Sequence, residues 1–237
     1  MLPKERMAEG EWVPPWLRYQ HIARYQWAVS FCSGKRVLDA ACGNGYGAEL
    51  LRHAGAAVVG LDVAAEGIEE GQHLGRSNLL LGDATVLPFR SGAFDVFVSF
   101  ETVEHVRAHA SYVAEAHRVL KRGGTFICST PNRALVNPGN TIDDRPFNPF
   151  HIREYTQREL AAVLQSKFSS IEWFGQTPFA GWYTAALGSV GRRSKSAGVR
   201  LHQARKLAGI ALESIERHRP RALPFDGQPE VLIAVCR

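Results

Sequence analysis

Long apolar segments and a secretory leader are both missing from this 237-residue sequence. No apolar run approaches the roughly 18 residues that a membrane-spanning helix needs, so we predict no membrane span. The charged first residues, Met1 to Gly10, lack the apolar core of a secretory signal peptide. Both absences predict a cytoplasmic protein that does not contact a membrane.

Cysteines are few, and neither sign of charge dominates. The four cysteines lie far apart without a CxxC pair, which is typical of reduced thiols rather than of a disulfide framework. The net charge of +5 favours anionic partners only mildly. Hydrophobic residues make up 45% and charged residues 22% of the chain, which excludes disorder. A length of 237 residues favours one domain, spanning residues 1–237.

Short apolar runs alternate with helical patterns over most of the chain. The predicted strands cover residues 36–40, 57–62, 78–81, 94–100, 125–129, 170–174 and 231–235. Strands that alternate with helices at this spacing predict βαβ units, a parallel sheet and helices on both faces. Three segments stand outside this alternation: an N-terminal helical segment (1–30), a lid loop rich in proline (131–156) and a helical insertion before the last strand (179–228).

A glycine-rich turn follows the first predicted strand. It runs from Asp39 through Ala-Ala-Cys to Gly43, Gly45 and Gly47. The spacing is not GxGxxG, so a dinucleotide-binding fingerprint is excluded, and a nicotinamide dehydrogenase is disfavoured. The turn resembles motif I of the class I S-adenosylmethionine-dependent methyltransferases, D/E-x-x-x-G-x-G-x-G. That resemblance implies a Rossmann-like α/β fold with a seven-stranded, mostly parallel sheet and an antiparallel last strand.

Three later features agree with this family, and the resemblance implies a role for each in binding S-adenosyl-L-methionine. Asp62 closes the second strand, where an acid accepts hydrogen bonds from ribose hydroxyls. Asp83 and Ala84 follow the third strand, where the family's acid meets the adenine. Tyr25 resembles the family's N-terminal aromatic, although a packed core aromatic is an equally good interpretation. With Asp39, Gly43 and Gly45, these residues form the expected cofactor site.

Two carboxylates and an imidazole follow the fourth strand in the segment Phe100-Glu101-Thr102-Val103-Glu104-His105. If this segment opens a helix, Glu101, Glu104 and His105 lie along one side of it. Such a trio can hold a divalent cation: the oxygen ligands suit Mg²⁺, and the histidine shifts the preference toward Mn²⁺. Glu101 could instead contact the cofactor.

The same segment resembles the E-x-x-E-H motif of metal-dependent O-methyltransferases. This motif occurs in ubiquinone-pathway enzymes and in small-RNA 3′-terminal 2′-O-methyltransferases, and the RNA group adds a later histidine. Here that histidine corresponds to His151, which gives Glu101, Glu104, His105 and His151 as metal ligands. The catalytic residues implied are His151, His105 and Glu104, with a histidine as general base if no metal binds. The Glu-His pair also occurs in methyltransferases that bind no metal.

The expected activity is methyl transfer from S-adenosylmethionine to a hydroxyl of a sugar or saccharide-like small molecule, assisted by Mg²⁺ or Mn²⁺. Polar lid side chains favour a hydroxylated acceptor, and some actinobacterial sugar O-methyltransferases are similar. The alternatives are a 2′-O-methyltransferase of an RNA 3′ end, a metal-independent enzyme of the quinone or polyketide type, and a catalytically silent cofactor-binding module. Nucleic acid is the less favoured partner because no RNA-binding module accompanies the basic run at 192–206.

Several residues are assigned no direct role in the reaction. His21 and His109 are interpreted as surface or packing residues. Aromatic residues at positions 173, 174, 179, 182 and 183 could form a platform for the acceptor or simply part of the core. The helical insertion could mediate a homodimer contact.

Overall fold

A computed structural model describes residues 15–176, 218–224 and 228–237 of the chain. The helices are α1 (Pro15–Cys32), α2 (Tyr46–His53), α3 (Ala65–His73), α4 (His109–Val119), α5 (Arg133–Val136) and α6 (Gln157–Leu164). The strands are β1 (Arg36–Ala40), β2 (Ala57–Asp62), β3 (Leu79–Leu81), β4 (Phe94–Phe100), β5 (Leu120–Pro131), β6 (Ile171–Gln176), β7 (Arg221–Ala222) and β8 (Val231–Cys236). Each of the seven predicted strands is present: the strands at 36–40, 57–62 and 94–100 have the predicted ends, and the ends of the other four are shifted by up to five residues.

All eight strands of the described residues join one sheet, in the order β3-β2-β1-β4-β5-β8-β6-β7. The pairs from β3 to β5 are parallel, and β8 runs antiparallel to both β5 and β6. The predicted Rossmann-like fold and its antiparallel last strand are therefore confirmed. The sheet has one strand more than the seven expected: the two-residue β7, which pairs with β6 and carries no apolar pattern that sequence could show.

The sheet is apolar on both faces because helices cover both of them. Alternate residues of β8 belong to two separate hydrophobic clusters: Leu232 and Ala234 to one, Ile233 and Val235 to the other. Every residue of β8 is buried. Such continuous burial is what a strand sandwiched between helical layers requires, and it explains why β8 reads as an unbroken apolar run.

The strand order indicates where in the sheet a ligand-binding crevice lies. β1 lies between β2 and β4, so the chain reverses direction across the sheet at the β1/β4 boundary. Ligands of open α/β sheets bind beyond the carboxyl ends of the strands at such a switch point. The predicted lid, residues 131–156, starts at the end of β5, contains the short helix α5, and is closed by a bridge between Asn132 and Tyr155.

Most of the predicted helical insertion, including the basic run at 192–206 and the aromatic positions 179, 182 and 183, lies outside the described residues. The single-domain organisation and a homodimer contact stay predictions. Among the described helices, none is both long and apolar enough to cross a membrane.

Candidate active site

The glycines of the turn after β1 are each required by geometry. Gly43 and Gly45 have φ angles of 57° and 79°, in the left-handed region that side chains disfavour. Gly47 opens α2, where a Cβ atom would lie 2.0 Å from the Tyr25 ring. The D-x-x-x-G-x-G-x-G spacing is thus explained by two backbone conformations and one close approach to α1.

Asp39, at the end of β1, is completely buried, and Tyr25 is its hydrogen-bond donor. The Tyr25 hydroxyl lies 3.0 Å and 3.2 Å from the two carboxylate oxygens. Burial raises the pKa of Asp39 to about 7, Asp62 adds to the rise and the Tyr25 bond opposes it. The Tyr25 ring also packs edge-on against Tyr46 and Phe100. Tyr25 is therefore a core aromatic that supports the site, and its direct contact with a cofactor stays a prediction.

Asp62 ties the end of β2 to the glycine turn. Its carboxylate accepts a hydrogen bond from the Gly43 N–H at 2.7 Å and another from the Ala64 N–H at 2.9 Å. These bonds fix both oxygens at the crevice, at the position expected for a ribose contact. The carboxylate lone pairs that remain can accept further hydrogen bonds.

Two exposed valines adjoin the expected adenine position, and sequence reasoning did not name them. Val63 follows Asp62 and is 73% exposed, and Val86 lies three residues after Asp83 and is 75% exposed. Asp83 itself is exposed and accepts hydrogen bonds from Thr85, while Ala84 is buried. Apolar side chains beside an acid offer both a surface for a flat base and an acceptor for its amino group. The signal in the sequence was a valine one residue after Asp62 and another three residues after Asp83.

The segment after β4 does not form the helix that sequence reasoning assumed. Only a single 3-10 turn, Val103–His105, is present, and Glu101 precedes it with a φ of 51°. Because Glu101 lies outside this turn and is not helical, the i, i+3, i+4 alignment of Glu101 with Glu104 and His105 that a helix would give is not formed. The side chain of Glu101 points to a different set of partners.

Those partners come from α1 and β5. The Arg24 guanidinium, completely buried, donates to Glu101 Oε1 at 2.6 Å and to Ser129 Oγ at 2.5 Å. Ser129 Oγ also contacts Glu101 Oε1, at 2.7 Å. Burial raises the pKa of Glu101, but the charges of Arg24 and then His21 outweigh it, so the pKa lies below its ordinary value. Glu101 is therefore held as a carboxylate.

The buried Glu104 has different hydrogen-bond partners from Glu101. Its Oε2 accepts a hydrogen bond from Thr130 Oγ1 at 2.9 Å, whereas Oε1 finds no hydrogen-bond partner among the described residues. Burial, followed by the charge of Glu101, raises the pKa of Glu104 to about 8. Its backbone carbonyl accepts hydrogen bonds from the N–H groups of Ile152 and Arg153, which fixes the lid to the 3-10 turn.

Two histidines meet Glu104 at this point. Ligand atoms of Glu104, His105 and His151 all lie within 4.8 Å of one another, and Glu101 is not a member of the group. His105 Nδ1 lies 3.0 Å from the Phe150 carbonyl, and His151 Nδ1 lies 2.7 Å from Glu154 Oε1. Because those acceptors require a proton on Nδ1, the lone pair of each neutral ring is on Nε2. Asn148 Nδ2 contacts His151 Nε2 at 3.0 Å.

Sequence reasoning missed the contribution of α1 and of β6. Arg24 was not singled out, and its Nε donates to Gln176 Oε1 at 2.8 Å. His21, interpreted as surface or packing, contacts the Tyr46 hydroxyl at 3.2 Å and acts electrostatically on Glu101. The only available signal was helical spacing, because positions 21 and 24 lie on one face of α1.

Several polar lid side chains are hydrogen-bonded within the lid or to the segment just before β8. Asn137 Nδ2 donates to Glu154, Asp144 accepts from Thr141, and Asn132 donates to the Pro229 carbonyl. Asp143 and Arg145 are exposed. Much of the hydrogen-bonding capacity that was assigned to an acceptor therefore stabilises the lid instead.

Comparison with known proteins agrees with this geometry. A family model described as a methyltransferase domain matches residues 38–128. A protein of Mycolicibacterium smegmatis, named a probable S-adenosylmethionine-dependent methyltransferase, is 37% identical over 158 residues, which cover 66% of this chain and 60% of that protein. A ubiquinone biosynthesis O-methyltransferase of Roseobacter denitrificans is 38% identical over 105 residues, which cover 42% of each chain.

A solved structure shares the fold over nearly its whole length. It is the crystal structure of a SAM-dependent methyltransferase from Archaeoglobus fulgidus, with a TM-score of 0.61 and 18% identity, covering 94% of this chain and 93% of that chain. The present chain spans at most about 60% of the length of the mycobacterial relatives that it matches. Residues 38–128 thus match a methyltransferase domain, and the glycine turn and the strand order agree with those of the class I S-adenosylmethionine-dependent methyltransferases.

Proposed function

We propose that this protein is an S-adenosylmethionine-dependent O-methyltransferase assisted by a divalent metal ion. The observation that carries the proposal is the convergence of Glu104, His105 and His151 at the carboxyl end of β4, beside the cofactor crevice. Oε1 of Glu104 is buried and has no hydrogen-bond partner in the described part of the chain, which fits a cation because a buried polar atom without a partner is costly. Two imidazoles with one carboxylate suit Mn²⁺ or a borderline metal better than Mg²⁺.

The surroundings of the three residues suit ligands of a metal. The Phe150 carbonyl and the Glu154 carboxylate hold Nδ1 of the two histidines, an arrangement that typically orients metal-binding imidazoles. His151 would exchange its Asn148 contact for the ion. A bound cation would lower the pKa of an acceptor hydroxyl. The chain itself aligns the acceptor oxygen with the cofactor methyl group, since positioning supplies much of the rate of such a transfer.

The lid contributes positioning and exclusion of water. Ile152 and Arg153 donate their N–H groups to the carbonyl of Glu104, so the lid is hydrogen-bonded to the turn that carries the proposed metal ligands. If no metal binds, His151 is the base that takes the hydroxyl proton at Nε2, with Glu154 stabilising the imidazolium at Nδ1.

For the acceptor, we propose a polyhydroxylated small molecule of the sugar or saccharide type. The exposed Asp143 and Arg145 of the lid support it as groups that could bind vicinal hydroxyls. A phenolic or quinol hydroxyl is the second candidate, and the likeness to ubiquinone biosynthesis O-methyltransferases favours it. Both acceptors present an oxygen to the same site.

The test is methyl transfer from labelled S-adenosylmethionine to panels of sugars and phenols, before and after EDTA treatment. We expect EDTA to reduce turnover at least about 100-fold and Mn²⁺ or Mg²⁺ to restore it. Glu104→Gln should abolish the metal response with little change in cofactor affinity. The matched control is Glu172→Gln, an exposed carboxylate on β6. Full activity in EDTA would contradict the metal, and no labelled product from either panel would contradict the acceptor class.

A further inference from the structure

Glu101 occupies a position that neither the metal group nor the lid explains. It directly follows β4, and β4 borders β1 at the switch point of the sheet. Asp62 fixes the ribose end of the crevice at the end of β2, on the far side of β1. A cofactor that extends from Asp62 across the glycine turn therefore brings its methionine end, with the sulfonium, to the β1/β4 boundary. Glu101 is the acid at that end.

The two members of the Arg24–Glu101 ion pair differ in their exposure to solvent. Arg24 is completely buried, whereas the Glu101 side chain is 19% exposed, so the carboxylate is the member of the pair nearer to solvent. The bonds from Arg24 and Ser129 both use Oε1. The positive member lies behind the carboxylate, among Gln176, Ser129 and the Phe100 ring. The pair thus presents its negative end to solvent, directly after the carboxyl end of β4.

The backbone is also constrained at this residue. A φ of 51° is uncommon for a residue with a side chain, and such strain persists where the surroundings impose it. Here the Glu101 N–H donates to the Ser129 carbonyl at 3.0 Å, and Arg24 holds the side chain. Strained residues concentrate at functional sites, which agrees with a role beyond packing.

We propose that Glu101 is the anion that binds the sulfonium cation of the methyl donor, and that Arg24 is the positioning residue that holds it there. The inference rests on the proposed function, because it assigns a residue to the methyl donor. A carboxylate beside a positively charged donor stabilises its binding more than that of the neutral product, which has lost the methyl group and the charge. Glu101 would therefore favour exchange of S-adenosylhomocysteine for S-adenosylmethionine.

Arg24 and His21 act on this anion from the same helix face. His21 contacts Tyr46 at 3.2 Å, and the charges of His21 and His151 both act on Glu101. Because the Arg24 fork binds Gln176, Glu101 and Ser129 at once, a lysine with one ammonium can replace it only in part. Residues of helix α1, which lie outside the glycine turn, would thus change the affinity for the methyl donor through Glu101.

The experiment measures the Kd of S-adenosylmethionine and of S-adenosylhomocysteine by calorimetry, in the full chain treated with EDTA. Glu101→Gln keeps the shape and removes the charge, so we expect about a three- to tenfold loss of affinity for S-adenosylmethionine, with the affinity for S-adenosylhomocysteine nearly unchanged. Arg24→Met should lower the ratio of the affinity for S-adenosylmethionine to the affinity for S-adenosylhomocysteine. Arg24→Lys should restore part of that ratio. Glu172→Gln should leave the ratio at its wild-type value. Because Arg24→Met could unfold the chain, Glu101→Gln carries the test, with circular dichroism as a folding control.

Each outcome decides the matter. A selective loss for the charged donor supports the assignment. Equal losses of affinity for both ligands, or no loss for either, would overturn the assignment. It would also be overturned if Glu101→Gln weakened Mn²⁺ binding while the ratio of the two ligand affinities stayed constant. Failure of the wild-type chain to bind either ligand would instead overturn the proposed function, so the two failures are distinguishable.

Discussion

The two halves of the crevice are built by different means. The cofactor half consists of the glycine turn and the ends of β1 to β3, where Asp39 and Asp62 are held by bonds to nearby backbone or to one tyrosine. The chemical half consists of the end of β4, the 3-10 turn and the lid. There, Glu101 and Glu104 owe their charge states to residues of α1, β5 and the lid. The bonds that hold Asp39 and Asp62 join positions at most 19 residues apart, whereas those that hold Glu101 join positions 28 and 77 residues apart.

The largest effect we expect concerns Asp39 in the cofactor half. The pKa of Asp39 is about 7 in the folded chain against an ordinary value of 3.8, so between pH 4 and pH 7 the unfolded chain has lost a proton that the folded chain keeps. The free energy of unfolding should therefore fall as pH rises through this window, by up to about 4 kcal/mol, and level off above pH 7. Urea denaturation of the cofactor-free protein measures it.

Asp39→Asn is the matched control, because an amide stays neutral at every pH. The variant should lack this part of the pH dependence. If the wild type and Asp39→Asn lose stability in parallel between pH 4 and pH 7, the buried Asp39 is not the cause.

The next effect tests how tightly α1 packs on the glycine turn. Gly47→Val places a side chain where Cβ alone would lie 2.0 Å from the Tyr25 ring. We expect a loss of about 3 kcal/mol in the free energy of unfolding, since overpacking a rigid contact displaces backbone. Tyr25→Ala in the same chain should recover part of that loss, so the double variant should be more stable than the sum of the two single losses predicts. Strict additivity would contradict the contact.

These two halves also differ in how far sequence could predict them. The sheet, the glycine turn, Asp39 and Asp62 follow from patterns within a few residues of one another. The orientation of Glu101 does not, because a left-handed φ at a non-glycine residue leaves no mark in the sequence. The Arg24 contact joins positions 77 residues apart, and no local period records such a pair. Sequence therefore predicted which residues reach the crevice better than what each of them contacts there.

A smaller effect tests the chemical half through Glu154. This buried carboxylate accepts a hydrogen bond from the Nδ1–H group of His151. Glu154→Gln should reduce turnover about 10- to 100-fold, because partners that orient a metal-binding or catalytic histidine typically contribute that much. The Kd of S-adenosylmethionine should stay within about twofold of the wild type. A variant that retains full kcat would show that His151 needs no such support.

The smallest effect concerns Thr130, which donates to Glu104 Oε2 at 2.9 Å. Thr130→Val removes one hydrogen bond and keeps the shape, so we expect turnover to fall about three- to tenfold, as for the loss of one ordinary hydrogen bond. Thr85→Val, at the exposed hydroxyl contact of Asp83, is the comparison in the cofactor half. It should change the Kd of the cofactor rather than kcat, and the reverse pattern would contradict the division into halves.

We expect the crevice beyond the carboxyl ends of β1 and β2 to bind S-adenosylmethionine. The most direct test of this expectation is a calorimetric titration of the wild-type chain and of Asp62→Ala with that ligand. We predict heat that saturates at one equivalent for the wild type and at least about tenfold weaker binding for Asp62→Ala, which loses the expected ribose acceptor and both backbone bonds. No heat with the wild type, or equal binding by Asp62→Ala, would contradict the account.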